Sequence, residues 1–404
     1  MVCDIMKKRT YGTIVRGIRT PMIAQGDDLA QIIADSLKEF SEIENVSLND
    51  RDIVGITEAI VARAQSNYVT VDDVAYDVRN KFSGCDTVGV ILPILSRNRF
   101  AICLRGIAKA FKKVYLMLSY PSDEVGNALF DDMLLEDSGI NPYTDVLGEA
   151  DFTRLFGKSS HPFTGIDYIE YYKQLIQESG AEAEIIFANN SKAILSYTEN
   201  VLCCDIHTRF KTKAILTKAG AKTALGLDDI CTSPINGSGY NEQYGLLGSN
   251  KSTEERLKLF PRDCVSVVEA TAKKLREVFN KNIEVLIYGD GAFKDPQGKI
   301  WELADPVVSP AYTLGLSGMP NELKLKYITD NKFNDLKGEE LDKAVVEYVK
   351  NKNTESALSD MDKQGTTPRK ISDLLGSLCD LTSGSGDKGT PIVLIQGYFD
   401  NISS

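Results

Sequence analysis

The chain has 404 residues, 43% of them hydrophobic and 25% charged, which is enough apolar material for a sizeable core in one large domain or two to three smaller ones. A formal net charge of −11 argues against non-specific nucleic-acid binding and against a polybasic membrane surface. Two histidines are too few for a multi-histidine zinc or iron site.

Eight cysteines stand without metal-like or secretory spacing, so they read as reduced thiols. The opening residues lack the apolar core of a signal peptide, and no run approaches the roughly 20 apolar residues that span a bilayer. These features together place the chain in the cytoplasm.

In chain order, 11–18 reads as a strand. A turn at Gly26-Asp27-Asp28 follows, then a helix over about 28–40, capped by Asp27 or Asp28 and carrying Leu29, Ile32, Ile33, Leu37 and Phe40 at 3–4 spacing. Residues 53–57 form a second strand and 71–82 a helix. From about 87 to 206 strand and helix alternate: strands at 88–92, 114–119, 185–188 and 201–206, helices at 100–111 and 166–178. That alternation predicts a nested α/β unit. Its middle, 121–164, shows no clear periodicity and reads as a long functional loop.

A capping signal at Ser252-Thr253-Glu254-Glu255 predicts a short helix. A long helix is expected from Pro261 to about Asn280, with Val265, Val268, Ala272, Leu275 and Val278 as its apolar face. Helices at 339–350 and 371–381 and a last strand at 391–396 complete the reading, with a polar linker at 351–368.

One stretch, NIEVLIYGDGAFKDPQGKIWELADP over 282–306, combines the features of a ligand site. A short apolar run ends in Gly289-Asp290-Gly291, and open α/β sheets bind ligands at the carboxyl ends of their strands. Lys294, Asp295, Glu302 and Asp305 follow closely. Several carboxylates with a lysine suit a divalent cation and phosphate oxygens, with Asp290, Glu302 and Asp305 as the metal ligands. The alternative is a hairpin turn with solvated charges, since Asp-Gly is also a hairpin signal. Gly26, Asp27 and Asp28 open a helix whose N–H groups can face phosphate, provided a cation bridges the two acids; the alternative is a plain cap. Arg97 and Arg99, ahead of another helix, can fork onto phosphate or carboxylate, or stay in a solvated turn.

Six pieces in collinear order resemble the coenzyme F-420 gamma-glutamyl ligase family. They are Gly17 with Gly26-Asp27-Asp28-Leu29; the run from Asp52 to Gln65; Pro234 to Asn241 with Tyr244-Gly245-Leu246-Leu247; the strand ending at Asp290; Ala311 to Gly318; and the closing helix, glycine-rich loop and strand to Tyr398. Two departures stand out. The acid of the family's N-A-G-I-D motif has no counterpart beside Asn236 and Ser238, and the basic residues of the second motif become Glu58, Arg63 and Gln65. Residues 87–206 match nothing in the pattern.

The resemblance implies an α/β fold: a mixed-sheet ligase core from 1–86 and 207–404, with 87–206 as a nested α/β insertion. It implies an amide ligase that joins L-glutamate or a related amino acid to a small-molecule carboxylate acceptor through an acyl phosphate. GTP or ATP would be the cosubstrate, with Mg²⁺ or Mn²⁺. Arg63 and Lys294 take catalytic places, Gly26, Asp27, Asp28, Arg97, Arg99 and Gly291 bind the nucleotide, and the protein is a homodimer without nucleic-acid or membrane partners. The missing acid near Asn236–Ser238 leaves a second reading: a non-catalytic nucleotide- or metabolite-binding protein on the same fold.

Overall fold

The computed structural model describes residues 10–158, 160–161, 165–290, 293–294, 301–302, 307–352, 369–382 and 386–403. The first part of the chain forms β1 (Ile14–Ile18), α1 (Leu29–Glu44), β2 (Ile53–Thr57), α2 (Glu58–Ala64), β3 (Tyr68–Thr70) and α3 (Val71–Lys81). Next come β4 (Thr87–Ile91), α4 (Phe100–Ala108), β5 (Lys113–Leu118), α5 (Met133–Ser138), β6 (Leu147–Gly148), α6 (Glu149–Phe156), α7 (Tyr168–Glu178), β7 (Glu182–Phe187), β8 (Asn200–Cys203), α8 (Arg209–Lys218) and β9 (Thr223–Gly226). The chain returns through β10 (Asn250–Thr253), β11 (Arg256–Lys258), α9 (Cys264–Phe279), β12 (Glu284–Tyr288), β13 (Phe293–Lys294), β14 (Trp301–Glu302) and β15 (Ala311–Tyr312). It ends with α10 (Leu325–Lys332), α11 (Gly338–Lys350), α12 (Ile371–Thr382) and β16 (Ile392–Gln396).

The fold is α/β with mixed sheets, as expected. The core sheet has the order β1-β16-β2-β12-β15, with β2 and β12 parallel and the other pairings antiparallel. Its central strands are buried on both faces, which is why they read as unbroken apolar runs. Val54, Ile56, Val285, Ile287, Ile392 and Leu394 pack with Ile33 and Leu37 of α1 and Val268 and Leu275 of α9. The alternate residues Ile53, Leu286, Tyr288, Val393 and Ile395 pack with Leu375 and Cys379 of α12. At position 55 a Cβ would lie 2.4 Å from Cys379 Sγ, so the close seat of α12 requires glycine there.

The nested sheet has the order β6-β7-β5-β4-β8-β9, parallel except for β6 at its edge. Its five parallel strands run 3-2-1-4-5 in order of appearance, so the winding reverses between β4 and β8. Apolar side chains of α3, α4 and α7 cover one face, and α8 with the turn at Ser191–Ser196 covers the other. Helix α3 precedes residue 87 and strand β9 follows 206, so this layer reaches beyond 87–206 on both sides. A small antiparallel sheet, β10-β11-β3, adds Val69 and Leu257 to the same apolar cluster.

Three local expectations are corrected. The capping signal at Ser252–Glu255 opens no helix: residues 250–258 form a hairpin, and β11 pairs with β3. Arg256, Leu257, Lys258 and Leu259 alternate with period 2, which serves a strand and gives a helix no apolar face. On α9 the buried residues are Cys264, Val268, Thr271 and Leu275, whereas Val265 is 58% and Val278 39% exposed. Finally, 121–164 holds two helices, α5 and α6; on α6 Phe152 stacks on Phe187 and, one turn on, Phe156 stacks on Phe130. No helix among the described residues is long and apolar enough to cross a membrane.

Candidate active site

The core sheet ends in a single cross-strand row. Ile18 pairs with Ile392, Ile392 with Ile56, Ile56 with Ile287, and Ile287 with Ala311. All five are at most 4% exposed. This apolar row forms a floor, and the residues just past it form a rim at the carboxyl ends of the parallel pair β2 and β12. Open α/β sheets hold ligands at that edge.

Thr57 and Tyr288 are the last paired residues of those two strands. The Thr57 N–H donates to Pro391 O at 3.1 Å, tying in the approach to β16. Glu58 begins α2 and is only 5% exposed; Lys258 Nζ lies 2.5 Å from its Oε1. Burying a carboxylate is costly unless a cation partners it, and Lys258 supplies that cation. Beyond Tyr288, Gly289 donates to Val308 O at 2.9 Å, and Asp290 follows with its side chain 45% exposed.

Asp290 meets a residue of the nested unit. Arg99 Nη2 is 2.5 Å from Asp290 Oδ2, across 191 positions of sequence, and the Arg99 side chain is 20% exposed. Arg99 closes the loop between β4 and α4, at the carboxyl end of the first strand of the nested sheet. That loop is pinned along its length. Leu95 N–H donates to Asp123 Oδ2 at 2.8 Å, Ser96 N–H to Tyr172 Oη at 2.7 Å, and Arg99 N–H to Ser96 Oγ at 3.0 Å. Lys251 N–H donates to Asn98 O at 2.7 Å. Phe100 packs edge-on against the buried Tyr172, with ring centroids 5.2 Å apart. The carboxyl edges of the two sheets therefore converge at the Arg99–Asp290 pair.

The other residues singled out by sequence fall in different places. Gly26 has φ +83 and donates to Ala64 O at 2.8 Å, which docks the 24–28 turn on the end of α2. Asp27 Oδ2 accepts from Ala24 N at 2.6 Å, and Asp28 caps α1 by accepting from Gln31 N at 3.1 Å. Both carboxylates thus make local turn and cap bonds. Arg63 is exposed in the last turn of α2 and makes no ion pair among the described residues. Arg97 is exposed and lines a cavity of about 320 Å³ with Arg105, Tyr171, Glu178 and Lys251.

Lys294 and Glu302 lie on the antiparallel pair β13–β14, where Phe293 faces Glu302 and Lys294 faces Trp301. Gly291 and Asp305, like Asp295, lie outside the described residues. A hairpin does follow Asp290, but its paired residues begin at Phe293, so Asp290-Gly291 is not its turn. Among the described residues no group of three or more His, Cys, Asp and Glu side chains is placed to hold a metal ion. Asn236 adopts φ +50, and Ser238 is used within its own turn: its Oγ accepts from Ile235 N at 3.0 Å and donates to Gly239 O at 3.0 Å.

A polar knot behind α2 was not visible in the sequence. Asn67 is fully buried; its Nδ2 donates to Phe260 O at 2.7 Å, and its Oδ1 accepts from Tyr240 N at 2.9 Å. Gln65 exchanges bonds with the Arg262 backbone, at 2.5 and 2.9 Å, and Asn241 Nδ2 also donates to Phe260 O. These residues belong to three separate segments, and none sits in a periodic pattern that would mark it. On the nested edge, Asp205 is 1% exposed and accepts from the Thr208 and Thr212 hydroxyls; burial pushes its pKa up. Burial likewise pushes the Cys103 thiol up to about 11 and the Cys264 thiol up to about 12, which leaves them unreactive as nucleophiles.

The model of one protein family, described as F420-0:Gamma-glutamyl ligase, matches residues 17–397 of the chain. No curated protein matches the chain.

Proposed function

Since the chain belongs to the F420-0:gamma-glutamyl ligase family, we propose that it is a nucleotide- and divalent-metal-dependent ligase that joins L-glutamate or a related amino acid to a carboxylate-bearing small molecule. The family supports a gamma-glutamyl ligase of F420 biosynthesis. The finer reading rests on one observation: Asp290 stands partly exposed at the carboxyl end of a buried strand, where β2 and β12 run parallel.

The donor chemistry fits a hard cation. Asp290 offers carboxylate oxygen on a rigid support, and Mg²⁺ usually takes only one or two protein carboxylates. In this reading Glu302 and Asp305 add further oxygens. A bound cation would supply charge neutralisation on the phosphoryl group in transfer. Arg99, with Arg97, Arg63 and Lys294, carries phosphate and carboxylate charge. In this reading Gly26 and Gly291 bind the nucleotide, GTP or ATP, beside Asp27 and Asp28. An oxygen of the acceptor carboxylate attacks the γ-phosphorus, and the nucleoside diphosphate leaves. The glutamate amine then attacks the acyl carbon, the carbon–oxygen bond to phosphate breaks, and inorganic phosphate leaves as the amine gives up its proton to water. We place the reaction in the cytoplasm, supported by the seven free thiols among the described residues.

A second reading is a non-catalytic nucleotide- or metabolite-binding protein on this fold. The use of Ser238 within its own turn favours it. Calorimetry of Mn²⁺ binding with nucleotide present, wild type against Asp290→Asn, tests the metal assignment. The expected outcome is a loss of at least tenfold in Mn²⁺ affinity with thermal stability retained, about 1.4 kcal/mol. Equal affinities would overturn it. Metal and nucleotide binding without phosphate release, over a panel of carboxylate acceptors, would favour the second reading.

A further inference from the structure

The core sheet has a second edge. Opposite the rim at Thr57 and Tyr288, where β1 and β2 begin and β16 ends, lies a cavity of about 610 Å³. The length of β2 puts it roughly 17 Å from that rim. Its walls are mainly polar, with Asn45, Ser47 and Asn49 from the connection between α1 and β2.

Two arginines line this cavity. Arg16 of β1 is half-buried, and its Nη1 donates to Gln396 Oε1 at 2.8 Å. Gln396 is 8% exposed and is itself fixed: its Nε2 donates to Asp52 Oδ2 at 2.7 Å and to Ser47 O at 3.1 Å. A neutral amide thus orients the Arg16 guanidinium without cancelling its charge. Arg51, exposed in the turn before β2, lays its guanidinium over the Phe399 ring, 4.0 Å from the centroid. That contact holds the guanidinium in place and leaves its N–H donors unused. The Arg51 backbone adopts φ +65, which an L side chain enters at a cost and glycine does not. Neither arginine makes an ion pair among the described residues. The acids of the cavity are engaged or screened. Asp52 is 3% exposed and also accepts from Asn49 N at 2.7 Å. Asp50 accepts from Asn282 N at 2.7 Å and lies 3.8 Å from Lys281 Nζ. Asp400 is exposed, where solvent screens it.

We propose that this cavity is a second ligand site, for a polar small molecule whose phosphate or carboxylate head is held by Arg16 and Arg51. A half-buried cation without a counter-charge is costly, and an oxyanion is the partner that guanidinium donors fit best. The volume admits more than a bare anion, and the polar walls favour a polar body. The assignment is independent of the metal reading of Asp290, which stands at the opposite edge.

The test is calorimetry with inorganic phosphate and, separately, with succinate, without divalent metal or nucleotide, on wild type, Arg16→Gln and Arg51→Gln. Lys343→Gln serves as the charge control, since Lys343 is exposed on α11. Wild type should bind at least one of the two anions, and each arginine variant should bind it about tenfold more weakly. Lys343→Gln should match wild type. The anion bound more tightly identifies the head group as phosphate or carboxylate. Arg51→Gly separates binding from folding: glycine suits φ +65, so this variant should keep the wild-type Tm and still lose the anion. If neither anion binds wild type, or if the affinity survives either arginine substitution, the inference is overturned. Should Arg16→Gln fail to fold, Arg51→Gly decides alone.

Discussion

Asp28 has a local role that the structure shows, and we propose a chemical one beside it. Its carboxylate caps α1, and its position beside Gly26 puts it in the part of the chain assigned to nucleotide. The two roles separate by substitution. Asp28→Ala should cost about 1 kcal/mol in denaturant unfolding, because an N–H of the first turn loses its acceptor. Asp28→Asn keeps an oxygen acceptor and should leave stability within a few tenths of a kcal/mol. A fall in nucleotide affinity in Asp28→Asn at unchanged stability would assign the charge to ligand binding; unchanged affinity would make Asp28 a cap alone. Asp290 differs in kind. Its neighbours in sequence explain why it is exposed at a strand end, but its partner, Arg99, is 191 residues away.

At the scale of the elements, β2 and β12 organise the site, and their sequences say why. Both faces of these strands are covered, so IVGIT and EVLIY carry apolar residues at nearly every position. Apart from the terminal Thr57 and Glu284 the exception is Gly55, which faces Cys379 of α12. Gly55→Ala should destabilise the fold by about 1–3 kcal/mol through overpacking against Cys379. The double variant Gly55→Ala/Cys379→Ala should recover part of that loss, since the two side chains are in contact. Denaturant midpoints at unchanged slope would measure both; additive losses would mean that α12 is not what fills the space at Gly55. The hairpin at β10–β11 shows the opposite relation. Its capping signal was genuine in pattern, but a cap needs a helix with an apolar stripe behind it, and the alternating residues after Glu255 belong to a strand beside β3.

For the whole molecule, the family match runs over residues 17–397 and so spans the nested unit as well as the core sheet. The nested unit's doubly wound order puts the reversal of winding at β4, and the loop after β4 is the one that touches the ligase edge. The position usually left for a ligand in such a sheet is here turned toward a second sheet. The resemblance also implies a homodimer, so we expect light scattering at micromolar concentration to give twice the mass of the 44.5 kDa chain. A monomer would show that the family's shared interface does not extend to this chain. Apolar side chains do stand on the surface, among them Met22 at 93% and Leu314 at 87% exposure.

The sequence by itself determined the buried strands, most of the long helices and the family, because each of these rests on short-range periodicity or on the order of motifs along the chain. Residues 353–368 and the tip of the acidic stretch carry expectations that lie outside the described residues. Only the tertiary structure decided which edges meet. The five-residue floor beneath the rim draws on strands from both ends of the chain, and the Glu58–Lys258 and Arg99–Asp290 pairs join residues 200 and 191 positions apart. Such contacts follow from strand order and from how one sheet packs beside another, and no local pattern of charge or hydropathy encodes that order.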